Sequence, residues 1–170
     1  MPGRKTMIIA TVFLFFVLQL QAQNTRRMAS YIVSFPQYVE WPKEYQEGNF
    51  MIGIYGESEN AAELEKLVFG RKINNQAVII KIFKHPDEIT RCHMVIISAQ
   101  TSDAVETIVE KFKPYNTLII TEKSGLTKKG PGISLISTSG RLSFELNKTN
   151  IINKGLNIDN EFHLMALVTY

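Results

Sequence analysis

Short runs of almost wholly apolar residues, alternating with amphipathic segments, constrain this chain most tightly. FMIGIYG, AVIIKIF, HMVIIS and TLIITE recur in order between Phe50 and Glu122. An apolar run of four to eight residues bounded by turn formers fits a strand buried on both faces. The segments between them have helical spacing. ESENAAELEKLVFG puts Leu64, Leu67 and Val68 on one side, with Asn60 and Glu63 at capping spacing and Gly70 as a stop. TSDAVETIVEKFKP lines up Val105, Ile108, Val109 and Phe112, with Asp103 and Glu106 at cap spacing and Pro114 closing it. Asn74-Asn75 turns the chain into the second strand, and HPDEITRC is a short helix or turn.

At the N-terminal side, Met28, Tyr31, Ile32, Phe35 and Val39 share a helical face. Pro36 should kink that helix or split it near Ser34–Phe35, and Trp41-Pro42 ends the element. After TLIITE, GISLISTS and RLSFELN flank Ser139-Gly140, the pattern of a hairpin. The tail suggests a short helix stopped by Gly155 and a second one capped by Asp159. Strands alternating with helices imply an α/β single domain: a mostly parallel twisted sheet, helices on both faces, and a terminal antiparallel strand pair.

Ahead of this domain, Arg4 and Lys5 precede the apolar run Met7–Leu18 and then the polar stretch QLQAQNTRR. A basic head, a short apolar stretch and a small residue at the cut site describe a secretory signal. The run falls short of the ~20 apolar residues a spanning helix needs. The reading is therefore a signal peptide over residues 1–22, cut after Ala22, and a domain over residues 23–170, with an uncleaved anchor as the alternative. The 170-residue chain carries 19 Lys+Arg against 16 Asp+Glu; without Arg4 and Lys5 this is 17 against 16. A nearly neutral mature chain lacks the basic footprint of a nucleic-acid binder, so no nucleic-acid partner is expected. Cys92 is the one cysteine, so no internal disulfide forms; it is either a small buried hydrophobe or a thiol that pairs between chains.

The common catalytic signatures are missing from the sequence. There is no G-x-S-x-G, G-x-G-x-x-G, Walker loop or H-E-x-x-H. His85, His93 and His163 are scattered, so neither a metal site nor a catalytic site is assigned, and no cofactor is implied. A phosphorelay receiver would need an Asp ending the third strand, where Ser98-Ala99-Gln100 stands. Ligands of open α/β sheets bind at the carboxyl ends of the strands. Here those ends offer Glu57 and Ser58, Ser98, Gln100 and Thr101, and Lys123, Ser124 and Lys128, suited to a small anion or metabolite unless they are ordinary caps and solvated loops. For a protein partner, Tyr38, Trp41 and Tyr45 are the aromatic candidates; Trp41 alternatively packs under the sheet edge. Glu145 and Asn147 share one strand face, and either stay solvated or brace the C-terminal helix.

Several landmarks occur in order: Tyr38-Val39-Glu40-Trp41-Pro42, Ile54-Tyr55-Gly56, Cys92-His93 before Ile96-Ile97-Ser98, Phe144-Glu145-Leu146-Asn147, and Gly155-Leu156-Asn157-Ile158. In this order they resemble the YfiR-like family of periplasmic proteins, from about Met28 to Val168. The resemblance implies a periplasmic α/β regulator without catalysis. The family's namesake represses a membrane-bound diguanylate cyclase, and so lowers cyclic-di-GMP and biofilm formation. Other members resemble accessories of sensor kinases. The implied partner is the periplasmic domain of an inner-membrane cyclase or sensor kinase, and a homodimer is compatible with the family. Relatives often carry a cysteine in the first strand where this chain has Gly53, so the redox control implied for them lacks one partner here.

Overall fold

A computed structural model describes residues 23–138 and 141–170, together with Ile9. The expected signal peptide, Ile9 apart, and the Ser139-Gly140 turn lie outside the described residues. Helix α1 (23–34) leads into a 3-10 turn over Phe35–Tyr38, with Pro36 at its start. The split falls where the proline requires it, because Pro36 lacks an N–H and its ring clashes with the preceding helical turn. Then follow β1 (Val39–Glu40), β2 (Phe50–Tyr55), α2 (Ala61–Val68), β3 (Lys72–Ile73), β4 (Gln76–Phe83) and β5 (Met94–Ile97). The chain continues through α3 (Val105–Lys111), β6 (Leu118–Thr121), β7 (Ile133–Thr138), β8 (Arg141–Leu146), α4 (Lys148–Asn153), β9 (Asn157–Ile158), α5 (Phe162–Met165) and β10 (Val168–Thr169).

Eight strands form one sheet in the order β10-β8-β7-β6-β5-β2-β4-β3, while β1 and β9 pair separately. Pairs β2–β4, β2–β5, β5–β6 and β6–β7 are parallel; β7–β8 is the expected antiparallel pair. All residues of β5 and β6 are buried, as strands covered on both faces must be. One face packs under α1, α2, α4 and α5 through Ile32, Leu64, Ile151 and Phe162. At its centre Phe35 meets Phe144 at 5.1 Å and Phe162 at 5.5 Å between ring centroids. The other face packs under α3 through Val105, Ile108 and Phe112. Among the described residues no helix is long and apolar enough to cross a membrane.

Three helix starts differ from expectation. Asn60 precedes α2, but its side chain makes no cap hydrogen bond, and Glu63 pairs with Lys66 instead. A 3-10 turn over Ala99–Ala104 delays α3, so Asp103 lies in that turn rather than at a cap. Asp159 does not cap the last helix either: Glu161 stands at the cap position without a side-chain cap bond, and Asp159 Oδ1 accepts the Glu161 N–H at 2.9 Å in the turn before it. The chain builds β4 on one side of β2 and then returns to build β5 on the other. This reversal places a crevice outside the carboxyl ends of β2 and β5, where such sheets bind ligands.

Candidate functional site

At that crevice the loops after β2, β5 and β6 converge on one side chain. Glu122, just past β6, accepts hydrogen bonds from Ser58 Oγ at 2.5 Å and Asn60 Nδ2 at 2.7 Å on Oε1, and from the Ala99 N–H at 3.3 Å on Oε2. Asn60 is buried, and its amide serves this carboxylate instead of capping α2. The donors an anionic ligand would use are thus directed at the chain's own anion. Nearby, Ser98 Oγ and Thr101 Oγ1 lie 2.9 Å apart, and Thr101 Oγ1 donates to the Tyr55 carbonyl at 3.1 Å. Gly56 adopts a φ of +84°, and a Cβ there would stand 2.8 Å from Ser98 Oγ and closer still to Thr101. Glycine is needed at this point, and the two hydroxyls fill the approach it opens.

The residues expected to hold a small anion are therefore only partly brought together. A cleft of about 230 Å³ is lined by Met28, Glu59, Asn60, Ala99, Gln100 and Glu122. Two carboxylates and no cation face it, the opposite of what an anion requires. Lys123 donates to Ser102 Oγ at 3.3 Å, Lys128 lies 5.3 Å over the Tyr170 ring, and Lys129 pairs with Glu106 at 3.4 Å. Glu57 and Ser124 are exposed. Among the described residues every buried side-chain nitrogen and oxygen has a hydrogen-bond partner. Replacing Glu122 with Ala strands its three donors, and should cost about 1–3 kcal/mol in urea unfolding; an unchanged midpoint would mean water replaces the carboxylate freely.

The aromatic candidates lie at the opposite end of the sheet, and two of them are interior. Trp41 is buried, its Nε1–H donates to the His93 carbonyl at 3.1 Å, and its ring meets Phe50 edge-on at 5.2 Å. Tyr45 is buried too. Its hydroxyl accepts the Asn116 N–H at 2.9 Å, and its carbonyl accepts Gln76 Nε2 at 2.9 Å. The Arg91 guanidinium covers its ring at 3.8 Å. With their polar tips satisfied inside, Trp41 and Tyr45 close the amino end of the sheet rather than forming an exposed patch. Tyr38, half-buried, stacks on Phe162 with 5.2 Å between centroids.

His93 joins this closure. Its Nδ1 accepts the Met51 N–H at 3.0 Å, and Nε2, 2.7 Å from the Tyr45 carbonyl, must carry the proton. Burial holds its pKa below the ordinary imidazole value; the Tyr45 carbonyl opposes this and Arg91 reinforces it. The folded state therefore binds this proton less readily than the unfolded chain. The resulting stability is fully present above about pH 6.5 and is lost as the pH falls through the folded pKa. The urea midpoint should drop between pH 7.5 and 5, and the part due to His93 should vanish in His93→Gln, which cannot charge. An identical pH profile in that variant would refute the assignment.

Two of the ordered landmarks meet directly. Val39 pairs with Ile158 and Glu40 with Asn157 in the β1–β9 ladder, and the Asp159 N–H donates to the Tyr38 carbonyl at 2.9 Å. A third landmark organises a loop. Glu145 accepts the Gly125 N–H at 3.0 Å and Thr127 Oγ1 at 3.2 Å, so it braces that loop rather than the C-terminal helix. Asn147 Oδ1 accepts the Asn150 N–H at 3.0 Å and caps α4.

The sequence pattern of the YfiR/HmsC-like family matches residues 25–166. The chain belongs to the YfiR/HmsC-like family. All five landmarks fall within the matched span. No curated protein matches the chain. Its fold is similar to the crystal structure of a conserved domain protein from Vibrio cholerae O1 biovar El Tor, with a TM-score of 0.57 at 12% identity. That likeness covers 86% of this chain and 60% of the other, so this chain spans less than two thirds of that protein's length. In this YfiR/HmsC-like domain Cys92 is fully buried; burial pushes its thiol up to about 11, and Sγ lies 3.3 Å from the Thr90 carbonyl. A group held in the thiol form is a poor nucleophile, which supports its reading as a small buried hydrophobe.

Proposed function

We propose that this YfiR/HmsC-like chain is a periplasmic, non-enzymatic regulator that binds the periplasmic part of a membrane-bound signalling protein, a diguanylate cyclase or a sensor kinase, and alters its output. Family membership over residues 25–166 is the observation that carries this reading. The basic head and apolar run at residues 4–18 supply the export route, with Gln23 as the first residue of the mature chain. The crevice supports action through protein contact, because Glu122 takes up the donors that a bound anion would need.

The test is to produce the full chain with a C-terminal tag in its own host, cross-link intact cells, and identify what is captured with it from the membrane fraction. The expected result is one cyclase or sensor kinase, together with a mature N-terminus at Gln23. A processed monomer that captures no membrane protein would overturn the regulator reading. Retention of residues 1–22 would replace the secreted form with an anchored one.

A further inference from the structure

We infer that the outer edge of β4 is a docking surface for an extended, acidic segment of a partner protein, which adds to the sheet as a further strand. This rests on the regulator reading above and names the surface through which it acts.

β4 pairs with β2 from Val78 to Phe83 on its inner side. On its outer side β3 reaches only Gln76 and Ala77, and no other strand among the described residues continues the pairing. The Phe83 carbonyl accepts the Gly56 N–H, so the backbone of Phe83 faces β2. Backbone groups alternate sides along a strand. Ile79 and Lys81 therefore also face β2, while Val78, Ile80 and Ile82 face outward. The Val78 N–H confirms the direction, lying 3.4 Å from the Arg71 carbonyl. Beyond the strand, the Lys84 N–H is already held by Glu88 Oε2 at 2.7 Å. What remains open is a short slot whose N–H and C=O groups belong to Ile80 and Ile82.

The side chains around this slot are apolar and basic. Ile79 is 40% and Ile82 48% exposed, and they lie on opposite faces of the sheet, so an added strand would cover both. Residues 71–84 carry Arg71, Lys72, Lys81 and Lys84 and no acidic residue. None of these four forms an ion pair among the described residues, and the nearby acids are engaged: Glu63 with Lys66, Asp87 with Lys111, Glu88 with backbone N–H groups. An open edge is a template for strand addition, with backbone bonds giving affinity and side chains giving selectivity. A second copy fits poorly. Antiparallel self-pairing about this slot turns Lys84 of one copy towards Arg71 and Lys72 of the other and brings the two Lys81 side chains close, and like charges across strands destabilise. An extended segment with apolar residues at alternate positions and Asp or Glu beside them satisfies both features.

The experiment places a photo-reactive phenylalanine analogue at Ile79, at Ile82, or at Leu164, which is exposed at the far edge of the sheet. The full chain is irradiated in its own host, and the adduct peptides are mapped. We expect adducts from positions 79 and 82, but not 164, on a partner segment with acidic residues beside alternating apolar ones. The exposed double variant Lys81→Glu with Lys84→Glu should lower that yield about tenfold, from the reversal of two cross-strand charge pairs, while a cooperative thermal melt shows the fold retained despite the lost contacts of Lys81 with Phe83 and Thr90. Adducts from 164 alone, adducts to a second copy, adducts to a segment lacking acidic residues, or a yield insensitive to the double variant would each overturn the inference while the regulator reading stands. If neither the analogues nor whole-chain cross-linking captures a membrane protein, both fall.

Discussion

Replacing Trp41 with Ala is expected to lower the free energy of unfolding by about 3–5 kcal/mol, the range for removing a large buried aromatic. The ring sits against Phe50 and His93 beneath the amino ends of β2 and β5. Its removal opens a cavity there and takes away the donor that the His93 carbonyl accepts. Domains of this size are stable by roughly 5–15 kcal/mol, so the variant should lose a large share of its stability. Trp41→Phe separates the contributions: it keeps much of the packing, loses the indole N–H, and should cost about 1–2 kcal/mol beyond the change in size. Urea unfolding of both variants measures this directly. A Trp41→Ala loss below about 1 kcal/mol would show that the ring does not close the core.

Replacing Gly53 with Cys should create a disulfide to Cys92 under oxidising conditions. A Cβ built at position 53 stands 3.2 Å from Cys92 Sγ. A disulfide sulfur lies about 3 Å from the partner's Cβ, given an S–S bond of about 2.04 Å. The closed loop spans about 40 residues, for which restriction of the unfolded chain is worth about 4 kcal/mol. Against this, the same Cβ stands 2.7 Å from Phe83 Cε2, and that buried ring must swing aside. The net expectation is a gain of about 2–3 kcal/mol, abolished by reductant. Formation should be slow near neutral pH, because burial raises the Cys92 thiol to about 11 and exchange proceeds through the thiolate. Two free thiols after prolonged oxidation, or a lower melting temperature in the oxidised form, would show that Phe83 does not yield.

The central strands were legible in the sequence because burial on both faces leaves an unbroken apolar run, as in Met94–Ile97 and Leu118–Thr121. Pro36 placed the break after α1 for an equally local reason. The two-residue strands β1, β9 and β10 were not legible, since two residues carry no period. Asn60 looked like a helix cap because its sequence neighbours fit one, yet its amide bonds Glu122, 62 positions away. The same long-range closure hid the role of Glu122, which in sequence is one polar residue in TEKSG. Trp41 and Tyr45 lie in a segment with no regular periodicity, where an interior aromatic and a surface anchor read alike. Only tertiary contacts tell them apart: their polar tips meet backbone groups of His93 and Asn116. The lysines after β6 drew attention as local charge, but Lys123 and Lys129 reach Ser102 and Glu106 instead of the cleft.

The central claim is control of a membrane signalling enzyme by contact with this protein. It is tested most directly by placing the captured cyclase or kinase in vesicles, with its periplasmic part outward, and measuring its turnover as the purified mature chain is added outside. The account predicts a severalfold change in turnover that saturates near one chain per enzyme subunit, and that survives Glu122→Gln, which can keep the acceptor for Ser58 and Asn60, gives up the one for the Ala99 N–H, and removes one of the two carboxylates that face the cleft. Turnover unaffected by saturating protein, or altered only when a small metabolite accompanies it, would contradict the account.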